Sequence, residues 1–196
     1  MSDAVIIDSG GANLASLRFA LQRLGSDAAV SSDAAEIAGA RRVLLPGVGA
    51  AADAMARLKS RGLVDSIRNL RQPLLGICLG MQLLYQHSDE GDTECLGIVP
   101  GRVQRIPEHG LPIPQMGWNV CTELRDEPLL RGVGAQDYFY FVHSYAAPVS
   151  PDTVASVDYG SPLTAVIRRD NFIGVQFHPE RSAAVGSRLL QNFLEL

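Results

Sequence analysis

Short apolar runs alternate with helically spaced apolar residues along the first half of the chain. Residues 4–7, Ala-Val-Ile-Ile, form a run that suits a strand buried on both faces. Asn13 then stands where a helix cap belongs. Leu14, Leu17, Leu21 and Leu24 follow at the spacing of one helical face until Gly25 stops it. After a weak strand over 28–30, Asp33 and Glu36 are spaced as a capping box. Val43-Leu44-Leu45 make a third strand, broken by Pro46-Gly47-Val48-Gly49 ahead of an alanine-rich helix reaching about residue 59. A fourth strand, 74–77, leads into Cys78 and a helix through Tyr85.

The second half changes character. Strands are expected over 101–106, 117–122, 137–143, 153–157, 164–168 and 172–177, with tight turns such as Arg169-Asp170-Asn171 marking antiparallel hairpins. A last helix over 185–194 carries Leu189, Leu190, Phe193 and Leu194, and 107–114 is the best candidate for an exposed loop. No repeat, low-complexity tract or linker divides the chain, so one domain over 1–196 is expected. The class is α/β: a central mixed, mainly parallel sheet flanked by helices, with antiparallel strands in the C-terminal half. In such sheets reactive groups gather where strands end and helices begin. Cys78 and the 46–49 loop both occupy such positions.

Composition narrows the setting. The chain has 196 residues, a net charge of −4 and no Lys/Arg cluster larger than a pair, which gives no electrostatic footprint for nucleic acid. No stretch approaches the roughly 18–20 apolar residues of a membrane span. The start reads as strand rather than signal peptide. Three widely spaced cysteines, Cys78, Cys95 and Cys121, without a C-x-x-C, argue against a disulfide framework or structural zinc. They fit a reducing compartment, so a cytoplasmic protein is expected.

Two segments carry chemistry. Gly76-Ile77-Cys78-Leu79-Gly80 has the form of a nucleophile elbow with sulfur in place of oxygen. Most isolated cysteines are packing residues, but the flanking glycines suit a tight strand-to-helix turn. A following helix would favour the thiolate, and the Leu79 amide could donate to an oxyanion. The second segment is Gln176-Phe177-His178-Pro179-Glu180. In an extended backbone His178 and Glu180 share a side, so Glu180 can orient the imidazole while its other nitrogen faces the thiol. A zinc-deaminase H-x-E would need a P-C-x-x-C partner, which is absent. His87, His109 and His143 have no similarly paired carboxylate and read as loop or strand residues.

Gly47-Val48-Gly49-Ala50-Ala51-Ala52 matches G-x-G-x-x-A, which leaves a non-catalytic dinucleotide-binding protein as a distant alternative. It follows the third strand rather than the first, and the Val48 or Gly49 amide serves better as a second oxyanion donor. Trp118, the single tryptophan, divides evenly between a core strand and an interface anchor. The polar end of 138–145, Ser144-Tyr145, could line a pocket.

These residues resemble the triad (class I) glutamine amidotransferases, whose fold is flavodoxin-like. Within that family the similarity runs end to end with glutaminase subunits of imidazole glycerol phosphate synthase. It includes Leu45-Pro46-Gly47-Val48-Gly49, Met116-Gly117-Trp118-Asn119, Phe141-Val142-His143-Ser144-Tyr145 and His178-Pro179-Glu180-Arg181-Ser182. The resemblance implies a catalytic triad of Cys78, His178 and Glu180. It implies an oxyanion hole from Leu79, Val48 and Gly49, and glutamine binding by Gly49, Gln82, Ser144 and Tyr145. No cofactor or metal is implied. The implied partner is a (β/α)8-barrel cyclase subunit receiving ammonia, with Asn13, Met116, Trp118 and Asn119 at the interface. An amidotransferase for another synthase, such as anthranilate synthase, is the nearer alternative; Met81 and M-G-W-N disfavour it. Ser9, Ala12 and Gln115 depart from the family pattern, in segments expected to face the partner.

Overall fold

The computed structural model describes residues 3–9, 14–122 and 124–196. Its first part alternates strand and helix: β1 (Ala4–Ile7), α1 (Leu14–Arg23), β2 (Ala29–Ser31), α2 (Ala34–Gly39), β3 (Arg42–Gly47), α3 (Ala51–Ser60), α4 (Leu63–Arg68), β4 (Leu74–Cys78) and α5 (Leu79–Gln82). Shorter strands follow: β5 (Tyr85–Ser88), β6 (Thr93–Glu94), β7 (Val99–Arg105), β8 (Gln115–Val120), β9 (Tyr138–His143) and β10 (Tyr145–Ala146). The chain ends with β11 (Thr153–Asp158), β12 (Pro162–Arg169), β13 (Phe172–Val175) and α6 (Ala183–Glu195).

The main sheet has the order β11-β12-β13-β4-β3-β1-β2. Pairings from β2 across to β13 are parallel, and β13-β12-β11 is antiparallel. Its central strands are buried on both faces, and alternation divides their side chains between two cores. Ala4, Ile6, Leu44, Leu75 and Ile77 join Leu17, Leu21, Phe139, Phe177, Leu189 and Phe193 on one face. Val5, Ile7, Val43, Leu45 and Leu74 join Ile37, Leu58, Ile67 and Met81 on the other. The expected mixed, mainly parallel sheet between helices is the one observed.

Several local expectations needed correction. The β3 strand does not stop at Leu45; it continues through Pro46 and Gly47, which pair with Ile77 and Cys78. The helix after Cys78 ends at Gln82 rather than Tyr85. Past that point the carbonyls of Leu83, Leu84 and Tyr85 accept from Leu96, from Ile98 and Val99, and from Gly97, so strand-like pairing displaces the next helical turn. The apolar run Leu83–Leu84 disguised this switch. At α2, Asp33 caps Ala35 and Glu36 through Oδ1, but the Glu36 carboxylate accepts from Ser31 Oγ rather than closing a box. The expected α1 cap, Asn13, lies outside the described residues.

Beside the main sheet, β8 and β9 form a two-stranded ribbon with Trp118 opposite Tyr140 and Gln115 opposite His143. On one face of it Phe139, Phe141, His143 and Gln115 are buried. The other presents Met116, Trp118 and Tyr138, exposed at 65%, 53% and 55%. That settles Trp118 as a surface residue, its ring edge-on to Tyr140 at 5.8 Å.

Candidate active site

The register of β4 assembles the site. Gly47 lies opposite Cys78 on one side, and Gly174 and Val175 lie opposite Gly76 and Ile77 on the other. The chain leaving β13 therefore runs past the sulfur. Gln176 still bonds to β12 through Ala165 O, whereas the His178 amide donates to Tyr140 O, so the segment crosses from the main sheet to the ribbon beside Cys78.

Cys78 itself has φ +54° and ψ −113°, in the half of backbone space that side chains avoid. Such strain persists only where surroundings over-determine it. The turn closes because Gly80 has no side chain: a Cβ there would lie 1.7 Å from Leu45 O. At Gly76 a Cβ would meet Gly80 O and Met81 N at 2.8 Å. The glycines of the elbow are thus required by close backbone approach, as the spacing suggested. The helix that follows has only four residues, so it offers a smaller positive end than the sequence implied.

His178 and Cys78 stand together in the wall of one cavity. The His178 Nδ1 lies 2.8 Å from Glu180 Oε1, with the two side chains only 8% and 10% exposed. Nδ1 being taken by the carboxylate, Nε2 remains for the sulfur. Glu180 reaches the ring differently from expectation: residues Pro179–Arg181 form a 3-10 turn, which folds the carboxylate back onto the imidazole. Burial pushes the ring pKa down, but bonding to Cys78 and then Glu180 outweighs it and raises it to about 10. The thiol has Val142 O at 3.9 Å and Gln176 Nε2 at 3.7 Å.

A cavity of about 400 Å³ opens over the sulfur, lined by Val48, Gly49, Leu79, Gln82, Ser144 and Tyr145 among others. All six residues expected to form the oxyanion hole or hold substrate therefore meet Cys78 and His178 in one cavity. Gly49 has φ +88°. A smaller cavity of about 110 Å³ shares Val48, Val142 and His178 with it and extends past Leu17, Glu180 and Arg181.

Glu90, Pro114, Val142 and His143 also line the cavity without having been assigned to the site, and two of them are titratable. Glu90, on the turn after β5, sends its carboxylate to Ala51 N at 2.8 Å and lines the main cavity. No local pattern marks it, because its partner is 39 positions away. That bond also counts against the dinucleotide alternative, since the α3 amino end that would receive a phosphate already holds a carboxylate. His143, treated as an ordinary strand residue, is buried in the cavity wall. Burial lowers its pKa to about 4, with Tyr145 O opposing and His178 reinforcing the shift, so the ring is neutral. His87, which seemed to lack a carboxylate, lies 2.9 Å from Asp92.

Two departures from the family pattern turn inward rather than outward. Ser9 is buried and donates to Pro46 O at 3.3 Å. Gln115 is buried 2.9 Å from His143 Nε2, on the face of β8 opposite Met116. Ala12 lies outside the described residues, as does Asn13. Met116 and Trp118 stand exposed, and Asn119 is half-buried, its Nδ2 donating to Asp158 O and its Oδ1 accepting from Val120 N. Among the described residues no group of His, Cys, Asp or Glu is placed to hold a metal ion.

The family model for "Glutamine amidotransferase class-I" matches residues 5–196. The chain belongs to the class-I glutamine amidotransferases. It is 56% identical, over all of its length and 98% of the relative's, to imidazole glycerol phosphate synthase subunit HisH of Xanthomonas axonopodis pv. citri. The subunit of the same name from Xylella fastidiosa strain Temecula1 is 52% identical over the same shares. The fold recurs in a solved glutamine amidotransferase structure with a TM-score of 0.77, 20% identity and coverage of 98% and 97% of the two chains. PurLQS from Thermotoga maritima gives a TM-score of 0.72 at 19% identity, covering 100% and 99%. The chain is thus a glutamine amidotransferase by family, and the Cys78 elbow is where that family's chemistry is to be sought.

Proposed function

We propose that this chain is the glutaminase subunit of an imidazole glycerol phosphate synthase, with Cys78, His178 and Glu180 as its catalytic triad. The observation that carries the reading is Cys78, at positive φ on the elbow, sharing a cavity with a His178 whose Nδ1 is fixed by Glu180 at 2.8 Å. Glutamine occupies the cavity over the sulfur, with its carboxamide toward Cys78 and its α-ammonium toward a carboxylate such as Glu90. Gln82, Gly49, Ser144 and Tyr145 complete its surroundings.

The thiolate attacks the carboxamide carbon, forming a C–S bond and an oxyanion. Leu79 and the Val48–Gly49 amides stabilise that oxyanion; loss of one such donor costs roughly 3–4 kcal/mol. The C–N bond then breaks as His178 gives its proton to the leaving nitrogen, releasing ammonia and leaving a γ-glutamyl thioester. Water, deprotonated by the same imidazole, attacks the thioester carbon, and C–S cleavage returns glutamate and the Cys78 thiolate.

The smaller cavity leads from His178 past Glu180 and Arg181. We assign it to ammonia on its way to a (β/α)8-barrel cyclase, docked on the Met116/Trp118 face with Asn13 and Asn119 at the contact. There ammonia is used to make imidazole glycerol phosphate and aminoimidazole carboxamide ribonucleotide. The three free, buried cysteines suit the reducing cytoplasm, where we place the reaction. The test is Cys78→Ala assayed with the cyclase partner: ammonia-dependent synthesis should survive and glutamine-dependent synthesis disappear. A surviving glutamine reaction would reject the nucleophile.

A further inference from the structure

Gln176 is wholly buried, yet the triad and the substrate cavity leave it without a task. Its side chain bridges Gln82 and Cys78. The orientation of this bridge follows from the Tyr145 carbonyl, which can only accept. Gln82 Nε2 lies 2.8 Å from that oxygen and 2.9 Å from Gln176 Oε1. An amide nitrogen carries two protons, and these two acceptors use both. With its oxygen committed to Gln82, Gln176 must turn its NH2 toward Cys78 Sγ, 3.7 Å away.

The other side of the Tyr145 carbonyl reinforces the arrangement. His143 Nδ1 lies 2.8 Å from the same oxygen and so carries the ring's single proton. Nε2 of the neutral ring is then an acceptor lying 2.9 Å from Gln115 Oε1, a contact that becomes a hydrogen bond when the Gln115 amide is turned to present its NH2. Donors therefore converge on Tyr145 O from both sides, and the branch through Gln82 and Gln176 ends on sulfur.

We propose that Gln176 is a hydrogen-bond donor to the Cys78 sulfur, held in register by Gln82 and the Tyr145 carbonyl, and that it stabilises the sulfur selectively when it is anionic. An N–H bond to a charged acceptor is much stronger than one to a neutral thiol or thioester. Gln176 thus favours the attacking thiolate, and favours it again as the leaving group when water cleaves the thioester. The inference rests on Cys78 being the nucleophile. It also gives Gln82 a structural task besides lining the cavity.

The readout is the pH dependence of Cys78 alkylation by iodoacetamide in the full chain. His178 with Glu180 behind it, His143 from β9, Tyr145 from β10 and Glu90 from the turn after β5 also face this cavity, and none of them is substituted in the variants. Gln176→Met removes the donor at similar length; the thiol midpoint should rise by about one unit, slowing alkylation near neutrality up to about tenfold. Gln176→Glu keeps an acceptor for Gln82 but sets a carboxylate oxygen against the sulfur, so its midpoint should rise further. A folded variant whose profile overlays the parent's overturns the proposal. If neither variant folds, the parent protein decides: the Gln176 side-chain NH2 resonances should titrate with the alkylation midpoint, and their constancy overturns it. Glutamine turnover by Cys78→Ala would instead reject the nucleophile, leaving this titration intact, so the two failures are distinguishable.

Discussion

Replacing Glu180 by Gln tests how far the triad depends on one buried charge. Glu180 Oε1 lies 2.8 Å from His178 Nδ1, and its second carboxylate oxygen is buried with no hydrogen-bond partner among the described residues. Gln keeps the shape and removes the charge. A hydrogen bond to a charged group contributes about 1.5–3 kcal/mol, which is a rate loss of between about tenfold and a hundredfold. The direction on pH is also fixed. Burial already depresses the ring's pKa, while Cys78 and Glu180 raise it to about 10. Without the Glu180 charge the pKa falls, by roughly one to two units. In the proposed mechanism a protonated His178 expels ammonia, so the alkaline limb of glutaminase activity should move to lower pH by that amount. Stability carries the same sign. A ring pKa raised above its unfolded value stabilises the fold fully below about pH 6.5, and that contribution is lost as pH rises toward about 10. The melting-temperature gap between parent and variant should therefore be full at and below about pH 6.5 and shrink above it. A variant with its rate within about twofold of the parent and an unmoved alkaline limb would refute the assigned role.

Three other substitutions or probes separate chemistry from packing. Gly80→Ala forces a Cβ to within 1.7 Å of Leu45 O and should cost about 3 kcal/mol or more in urea unfolding; an unchanged midpoint would show that the elbow can relax. Trp118→Ala removes a half-exposed ring and its edge contact with Tyr140, so stability should fall by only about 0.5–1.5 kcal/mol. Affinity for the proposed cyclase partner, measured by titration calorimetry, should nevertheless fall about thirtyfold; unchanged affinity would move the docking face elsewhere. In the native protein iodoacetamide should modify Cys78 first, as read by peptide mass spectrometry. Burial raises Cys95 to about 11, with Glu90 adding and Lys59 opposing, and raises Cys121 to about 12. Faster labelling of either would contradict the assignment.

What the sequence could disclose follows from the range of the interactions concerned. The strands β1, β3 and β4 are short apolar runs because they are buried on both faces, and the Cys78 elbow advertises itself through glycines that close approach demands. His178 and Glu180 were legible as a pair, since they are neighbours, but not the 3-10 turn that joins them. Harder to read were features fixed by distant partners. The end of α5 depends on amides at Leu96–Val99 taking the carbonyls of Leu83–Tyr85. Glu90 acquires meaning only from Ala51, and Gln176 only from Gln82 and Cys78, which lie 94 and 98 positions away. Ser9 and Gln115 looked like surface changes because their segments adjoin exposed residues; β-strand alternation places Gln115 on the buried side of Met116.

The central claim is that carbon–nitrogen cleavage passes through a thioester on one sulfur. It is tested most directly by acid-quenching the complex with its cyclase partner during glutamine turnover and mapping the adduct by mass spectrometry. A γ-glutamyl group on Cys78, absent in Cys78→Ala and accumulating when His178 is replaced by Asn, is the expected result. Steady turnover with no adduct, or with the adduct on Cys95 or Cys121, would contradict it.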